Sequence, residues 1–214
     1  MTTTHFCLVR HGETDWNAAR RLQGHTDIQL NARGLVQAKQ MAYALKASNL
    51  QFDVLYTSDL QRAKQTAHAI EMLYSTTAIV HGALRERHFG ILQGLTADEA
   101  PQREPELWQS HLNREIHQDL RGGESILQFA QRVQMALEEI RQQHIGKTIL
   151  LVSHGGTLEM MYRVASKQAL DTEKVVTVPN ASLNWISHDE AGWKVNAWAD
   201  TSHLKDLALD NIDL

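Results

Sequence analysis

Along the chain, short apolar runs alternate with longer stretches in which apolar residues recur every three or four positions. Residues 5–9 are β-prone and are broken by Arg10, His11 and Gly12, after which 14–21 becomes helix-compatible. Asn31 is placed to cap a helix whose apolar stripe is Leu35, Ala38, Met41, Ala42 and Leu45 and which ends near Ser48 and Asn49. A short buried strand is expected at 53–56. Ser58 with Gln61 three residues on reads as a capping box for a helix carrying Ala63, Thr66, Ala67, Ile70 and Leu73 on one side, with Arg62 in its first turn. Ser125 and Gln128 repeat that arrangement ahead of Ile126, Phe129, Ala130, Val133, Ala136, Leu137 and Ile140, a strongly amphipathic set. Residues 148–152 then form a run of buried-strand type, ended by Ser153, His154, Gly155 and Gly156, and 157–165 is again helix-like. Finally, 181–187 and 193–199 flank a Gly-containing turn at 189–192 and read as a hairpin.

Strands alternating with helices and one terminal hairpin predict an α/β fold, a mostly parallel sheet with helices on both faces. At 214 residues and 43% hydrophobic, the chain is long enough to bury a substantial core in one domain. Three prolines, no Gly/Ser-rich run and no internal repeat leave no place for a linker, so a single domain over 1–214 is expected.

Charge and targeting signals narrow the classes further. The net charge of −4 provides no basic stripe for a nucleic-acid backbone. Residues 1–5 are polar and lack the basic flank and long apolar core of a signal peptide, and no stretch approaches the roughly 20 apolar residues of a membrane span. The single cysteine, Cys7, fits a reducing compartment and a core position, so the cytoplasm is the expected location. The 12 histidines include no HExxH and accompany no CxxC pair, and no metal is expected.

In a parallel sheet, ligands bind at the carboxyl ends of strands, where the Arg10/His11 and Ser153/His154 loops both fall. A basic pair at a strand end, then a glycine and a helix start, is anion-binding architecture. The helix terminus offers N–H groups, arginine offers a planar fork, and glycine permits close backbone approach. Each fragment taken alone also fits a plainer reading. Arg10 suits a surface ion pair, His154 a core histidine bonded to backbone, Glu86 a solvated salt bridge within the run Arg85, Glu86, Arg87, and Asn17 and Gln23 ordinary loop polarity. Together, His11 and His154 are placed to flank one phosphate, with Arg62 entering from a helix start.

An ordered set of residues resembles the phosphoglycerate-mutase-like branch of the histidine phosphatase superfamily. The set is Arg10-His11-Gly12-Glu13-Thr14, Asn17, Gln23, Gly24, Ser58, Arg62, Thr66, Leu84, Glu86, Gly90, Gly94, Gly123-Glu124-Ser125 and Ser153-His154-Gly155. It runs in order from residue 5 to about residue 160. The resemblance implies a three-layer α/β/α sandwich with an antiparallel C-terminal strand or hairpin and a lid-like helical insertion around 95–122. It also implies roles. His11 is the nucleophile, its ring fixed by a hydrogen bond to a backbone carbonyl near Gly12. Glu86 is the general acid and base. Arg10, Arg62 and a protonated His154 hold the phosphoryl oxygens without a metal. Asn17, Gln23, Gly24 and Gly155 complete the binding set, and no cofactor is implied.

The same pocket serves a phosphatase or a mutase, because a phosphohistidine can discharge to water or to another hydroxyl. Three features favour hydrolysis. Phe89 stands where the mutases usually carry tyrosine, Gln23 where they place threonine, and the stretch between Gly94 and Gly123 holds no adjacent basic pair like their carboxylate clamp. The expected activity is hydrolysis of a small phosphorylated metabolite. The alternatives are a phosphoglycerate mutase or, from another class, a phosphate-binding module without turnover. A kinase is disfavoured because there is no P-loop sequence. Leu107, Trp108, His111 and Leu112 either form an apolar lid or pack on the body, and monomer and homodimer both remain open.

Overall fold

The computed structural model describes residues 2–173 and 176–204. In chain order the elements are β1 (Thr4–Arg10), α1 (Asp15–Ala18), α2 (Ala32–Ala47), β2 (Val54–Thr57), α3 (Gln61–Tyr74), β3 (Ile79–Val80), α4 (Ala100–Arg103), α5 (Pro105–Leu112), α6 (Ile126–Gln143), β4 (Thr148–Ser153), α7 (Gly155–Ser166), β5 (Leu183–Asp189) and β6 (Gly192–Asp200). The strands form one sheet in the order β3-β2-β4-β1-β5-β6. The first four in that order pair parallel, while β5 runs antiparallel to both β1 and β6.

The two-residue period of the strands builds the layers. Phe6, Leu8, Ile149 and Leu151 face one side, against Phe129, Val133 and Leu137 of α6 and Leu158 and Met161 of α7. Cys7, Val9, Leu150 and Val152 face the other, against Met41 and Leu45 of α2 and Ala63 and Ile70 of α3. The α/β/α sandwich with its mostly parallel sheet and antiparallel terminal hairpin is therefore as expected. Cys7 is a core residue whose thiol pKa is pushed up by burial. A third apolar cluster (Leu22, Phe89, Leu92, Leu95, Ala100, Leu107, Trp108 and Leu120) seats the 95–122 segment on the body. Leu107 and Trp108 thus pack inward, whereas Leu112 is 53% exposed. Among the described residues, no helix is long and apolar enough to cross a membrane.

Three local expectations are corrected. Ser58 does not cap α3: the N-cap position is Leu60, without a side-chain bond, and the Gln61 amide donates to Asp27 Oδ1 at 2.6 Å. Ser58 Oγ instead meets His154 Nε2 at 2.9 Å, a tertiary partner that outcompetes the local one. The helix expected over 14–21 shrinks to α1, because Arg20 turns into the left-handed region (φ 52°) and Leu22 leaves to bond the backbone of Leu95 and Gly94. Leu35 is 44% exposed. At the start of α2 the inward position belongs to Gly34, where a Cβ would stand 2.0 Å from the Glu13 carbonyl oxygen. The Ser125–Gln128 capping box of α6 and the Asn31 cap of α2 are formed.

Candidate active site

β1 and β4 are adjacent and parallel, with Arg10 paired to Ser153, so the residues that follow them, His11 and His154, emerge side by side. Their ring centroids are 5.1 Å apart. Both rings are buried, 2% and 0% exposed. Each strand end leads toward a helix N-terminus, α1 after Thr14 and α7 at Gly155. Close approach of chains holds the first loop in place. A Cβ on Gly12 would lie 2.5 Å from the Gly34 carbonyl oxygen, and the Gly12 N–H donates to Thr66 Oγ1 at 3.0 Å.

The His11 ring has one defined orientation. Nδ1 lies 2.7 Å from the Gly12 carbonyl oxygen. A carbonyl only accepts, so Nδ1 carries the proton and Nε2 keeps its lone pair. The Asn180 amide donates to the His11 carbonyl at 3.0 Å, and the Ala181 N–H to the carbonyls of Arg10 and His11. Burial first, and then the guanidinium charges of Arg62 and Arg10, hold the His11 pKa well below the ordinary histidine value, against the raising effect of the Gly12 bond.

Arg62, fully buried, is fixed by three bonds: Nε to His154 Nδ1 at 3.2 Å, Nη1 to the Thr26 carbonyl at 3.0 Å and Nη2 to the Gly24 carbonyl at 2.8 Å. Because Nδ1 of His154 accepts from Arg62, it carries no proton. Burial, followed by the charge of Arg62, lowers the His154 pKa well below its ordinary value. The expectation of a protonated His154 is therefore corrected for the free protein: two guanidiniums and burial oppose a third positive charge.

Two buried neutral histidines have a consequence for stability. Their folded-state pKa values lie below the unfolded value of about 6.5, so below that pH the unfolded chain binds more protons and stability falls as pH falls. Thermal melting temperature is expected to decline between roughly pH 7 and pH 5. A flat profile over that window, measured by circular dichroism, would remove this account of the two rings.

Glu86 is buried rather than solvated. Arg85 pairs with Asp59 at 2.6 Å, and the Glu86 carboxylate, 5% exposed, accepts from the Arg87 N–H (Oε1, 2.8 Å) and the Gly156 N–H (Oε2, 2.8 Å). A Cβ on Gly156 would sit 2.4 Å from Glu86 Oε1, so that glycine makes room for the carboxylate. His11, Arg62, Glu86, Asn17, Gln23 and Gly24 line one cleft of about 430 Å³, together with Arg20, Arg21, Leu22 and Phe89. Arg10 (1% exposed) and His154 are buried beneath it, Arg10 Nη1 donating to the Val178 carbonyl at 2.5 Å.

The auxiliary residues divide. Asn17 accepts from the Thr14 N–H at 3.1 Å and forms the capping box of α1, and Gln23 Oε1 accepts from Thr14 Oγ1 at 3.0 Å. Gly24, at φ 52°, touches the site mainly through the carbonyl that holds Arg62. Gly155 opens α7 and is absent from the residues that line the cleft.

Sequence reasoning missed Arg20 and Arg21 at the cleft mouth, Arg21 being tied to Glu99 at 2.6 Å, and it missed Asn180 behind His11. No local motif marks these positions, which are recruited only by folding. On the other side of Glu86 and Phe89 lies a larger chamber of about 1010 Å³, with Arg87, His111, Arg114, Phe129 and Glu159 on its walls. The sequence holds no adjacent basic pair between Gly94 and Gly123, yet the fold brings Arg114 onto the same chamber as Arg87. Among the described residues, no three His, Cys, Asp or Glu side chains are grouped so as to hold a metal ion.

Comparison with known proteins bears on this geometry. Residues 6–201 match the model of the histidine phosphatase superfamily (branch 1). A metal-independent phosphoserine phosphatase of Arabidopsis thaliana is 39% identical over 206 residues, covering 95% of this chain and 84% of the relative. The phosphoglycerate mutase-like protein 4 of the same plant is 37% identical over 202 residues, covering 93% and 86%. Among solved structures, Bacillus stearothermophilus YhfR superposes with a TM-score of 0.87 at 30% identity, over 94% of this chain and 99% of that one.

Proposed function

Because the chain belongs to the histidine phosphatase superfamily, branch 1, and is an enzyme of that superfamily, we propose that it hydrolyses a small phosphorylated metabolite through a phosphohistidine on His11. The observation that carries this reading is the bond from His11 Nδ1–H to the Gly12 carbonyl, which leaves Nε2 unprotonated inside a cleft walled by guanidinium groups.

In the first half-reaction Nε2 forms a bond to phosphorus as the ester P–O bond breaks, and Glu86, which takes a proton from solvent as the negative phosphate enters the cleft, gives that proton to the departing oxygen. Arg10 and Arg62 offset the charge on the phosphoryl oxygens, and His154, neutral in the free protein, takes up a proton from solvent on Nδ1, giving up its bond from Arg62 Nε, as the dianion arrives. Asn17 and Gln23 border the phosphoryl group, with Gln23 oriented by Thr14 so that its amide nitrogen is its remaining polar atom. Gly24 serves by holding Arg62, and Gly155 by starting α7 behind His154. In the second half-reaction the Glu86 carboxylate takes a proton from water. The resulting hydroxide displaces Nε2 from phosphorus, and phosphate leaves. The leaving group occupies the chamber beyond Glu86, and the 95–122 segment closes one side of it.

Two observations favour water over a second hydroxyl as acceptor. Phe89 brings no hydroxyl to the cleft wall, and Arg114, which shares the chamber wall with Arg87, is already engaged by the Glu159 carboxylate at 3.5 Å, a group that also binds Arg163 at 2.5 Å. The test is a panel of phosphomonoesters including phosphoserine and phosphoglycerate, assayed in EDTA. Phosphate release from at least one ester is expected to exceed interconversion of phosphoglycerates about tenfold or more. Faster interconversion, primed by a bisphosphoglycerate, would establish the mutase instead.

A further inference from the structure

The loop that carries Glu86 lies between two single 3-10 turns, Gly82–Leu84 and Gly90–Leu92, and belongs to neither a helix nor a strand. With no ladder to hold it, its position depends on where its backbone groups find partners. Four consecutive carbonyls are all bound by side chains. Arg132 Nη1 donates to Ala83 at 2.9 Å and to Arg85 at 3.0 Å, and Arg132 Nη2 to Glu86 at 3.0 Å. Ser153 Oγ donates to Leu84 at 2.7 Å, Thr157 Oγ1 to Arg85 at 2.9 Å, and His25 Nε2 to Glu86 at 2.8 Å. One guanidinium on α6 therefore supplies three of the six bonds.

Glu124 holds that guanidinium and the other end of the loop at once. Its Oε1 accepts from Arg132 Nε at 2.7 Å, and its Oε2 from Arg132 Nη2 at 2.7 Å and from the His88 N–H at 2.8 Å. Its backbone N–H donates to the His88 carbonyl at 2.8 Å, and its carbonyl accepts from Arg87 Nε at 2.9 Å. Burial raises the Glu124 pKa, but the bonds from Arg132 and the His88 N–H outweigh it and hold the pKa below its ordinary value, so Glu124 is a carboxylate. Neither Arg132 nor Glu124 lines the cleft or the chamber beyond it.

We propose that Arg132, oriented by Glu124, is a positioning residue that sets where the Glu86 carboxyl stands relative to the ester oxygen, and so controls proton delivery without touching substrate. This rests on the reading of Glu86 as proton donor given above. The flat five-donor fork of arginine is what allows one side chain to bridge three carbonyls and a bidentate carboxylate, a geometry that lysine cannot reproduce despite its equal charge.

The experiment compares wild type with Arg132→Lys by rapid-quench measurement of phosphohistidine formation on two esters. p-Nitrophenyl phosphate releases a stable anion and needs little protonation, whereas glycerol 2-phosphate releases an alkoxide and needs it fully. Phosphohistidine formation from glycerol 2-phosphate is expected to fall about 30-fold or more, and that from p-nitrophenyl phosphate less than about threefold. The inhibition constant of inorganic phosphate is expected to stay put. Equal losses on both esters, or no loss on either, would overturn the proposal. If Arg132→Lys does not fold, Glu124→Gln removes the same orientation and carries the same comparison. His11→Ala, run alongside, separates the two readings: label retained in that variant would fail the phosphohistidine mechanism itself, however Arg132 behaves.

Discussion

Replacing His11 with alanine is expected to lower phosphate release by about 10⁴-fold or more and to abolish acid-labile, base-stable phosphoryl label on the protein. The physical basis is that Nε2 is the one cleft nucleophile whose tautomer is set by a backbone bond, to the Gly12 carbonyl at 2.7 Å. The other polar residues lining the cleft do not replace it. Asn17 and Gln23 are amides, Arg20, Arg21 and Arg62 are cations, and the Glu86 carboxylate oxygens are each held by a backbone N–H, of Arg87 and of Gly156. His154 is turned to receive Arg62 through Nδ1 and meets Ser58 through Nε2, so it is not poised to substitute. Binding of inorganic phosphate should survive in the variant, since the guanidinium groups remain. A variant that still formed labelled protein would show that another residue carries the phosphoryl group.

The second large effect is expected from Glu86→Gln. This exchange keeps the side-chain volume but replaces a group that both gives and takes a proton. Release from alkyl phosphates should fall about 10²- to 10⁴-fold. With p-nitrophenyl phosphate the loss should appear mainly after the first turnover, because nitrophenolate departs unaided while hydrolysis of phosphohistidine still needs a base. The expected signature is a stoichiometric burst of nitrophenolate followed by a slow phase, with phosphohistidine accumulating on the protein. Unchanged steady-state turnover on both ester types would eliminate Glu86 as the proton-transfer group and would remove the premise of the Arg132 proposal with it.

Most of the framework was legible from periodicity. The near-continuous apolar runs at 5–9 and 148–152 specify strands buried on both faces, and period-two geometry then assigns Phe6 and Cys7 to opposite layers with no further information. The Ser125 and Asn31 caps were legible because a cap depends only on residues within one turn of it. Ser58 misled for the complementary reason. Its hydroxyl is equally suited to a local amide and to a distant histidine, and the sequence does not say that His154 lies 2.9 Å away.

The site shows the same division. His11, His154, Arg10 and Arg62 were legible as candidates because each sits in a short motif at a strand or helix end, and parallel strands must deliver their ends to one edge; Glu86, in a loop between two 3-10 turns, was singled out only by the family resemblance. That a backbone carbonyl near Gly12 fixes the His11 ring was expected, but which ring nitrogen it holds and the charge state of His154 were not identifiable. Whether His154 carries a proton depends on burial and on two guanidiniums that converge from elsewhere in the chain. Asn180 behind His11, Arg20 and Arg21 at the mouth, and Arg114 on the chamber wall gain their places only on folding, Arg21 through a contact 73 residues away and Asn180 through one 169 residues away. By itself, then, the sequence determined the sandwich, the strand ends that face the cleft and the residue types able to take a phosphoryl group, because these follow from local periodicity and parallel topology. The tertiary structure alone decided which nitrogen of His11 is free, that His154 is neutral, and that Arg132 and Glu124 grip the Glu86 loop, because burial and the meeting of distant side chains are not encoded at any single stretch of the chain.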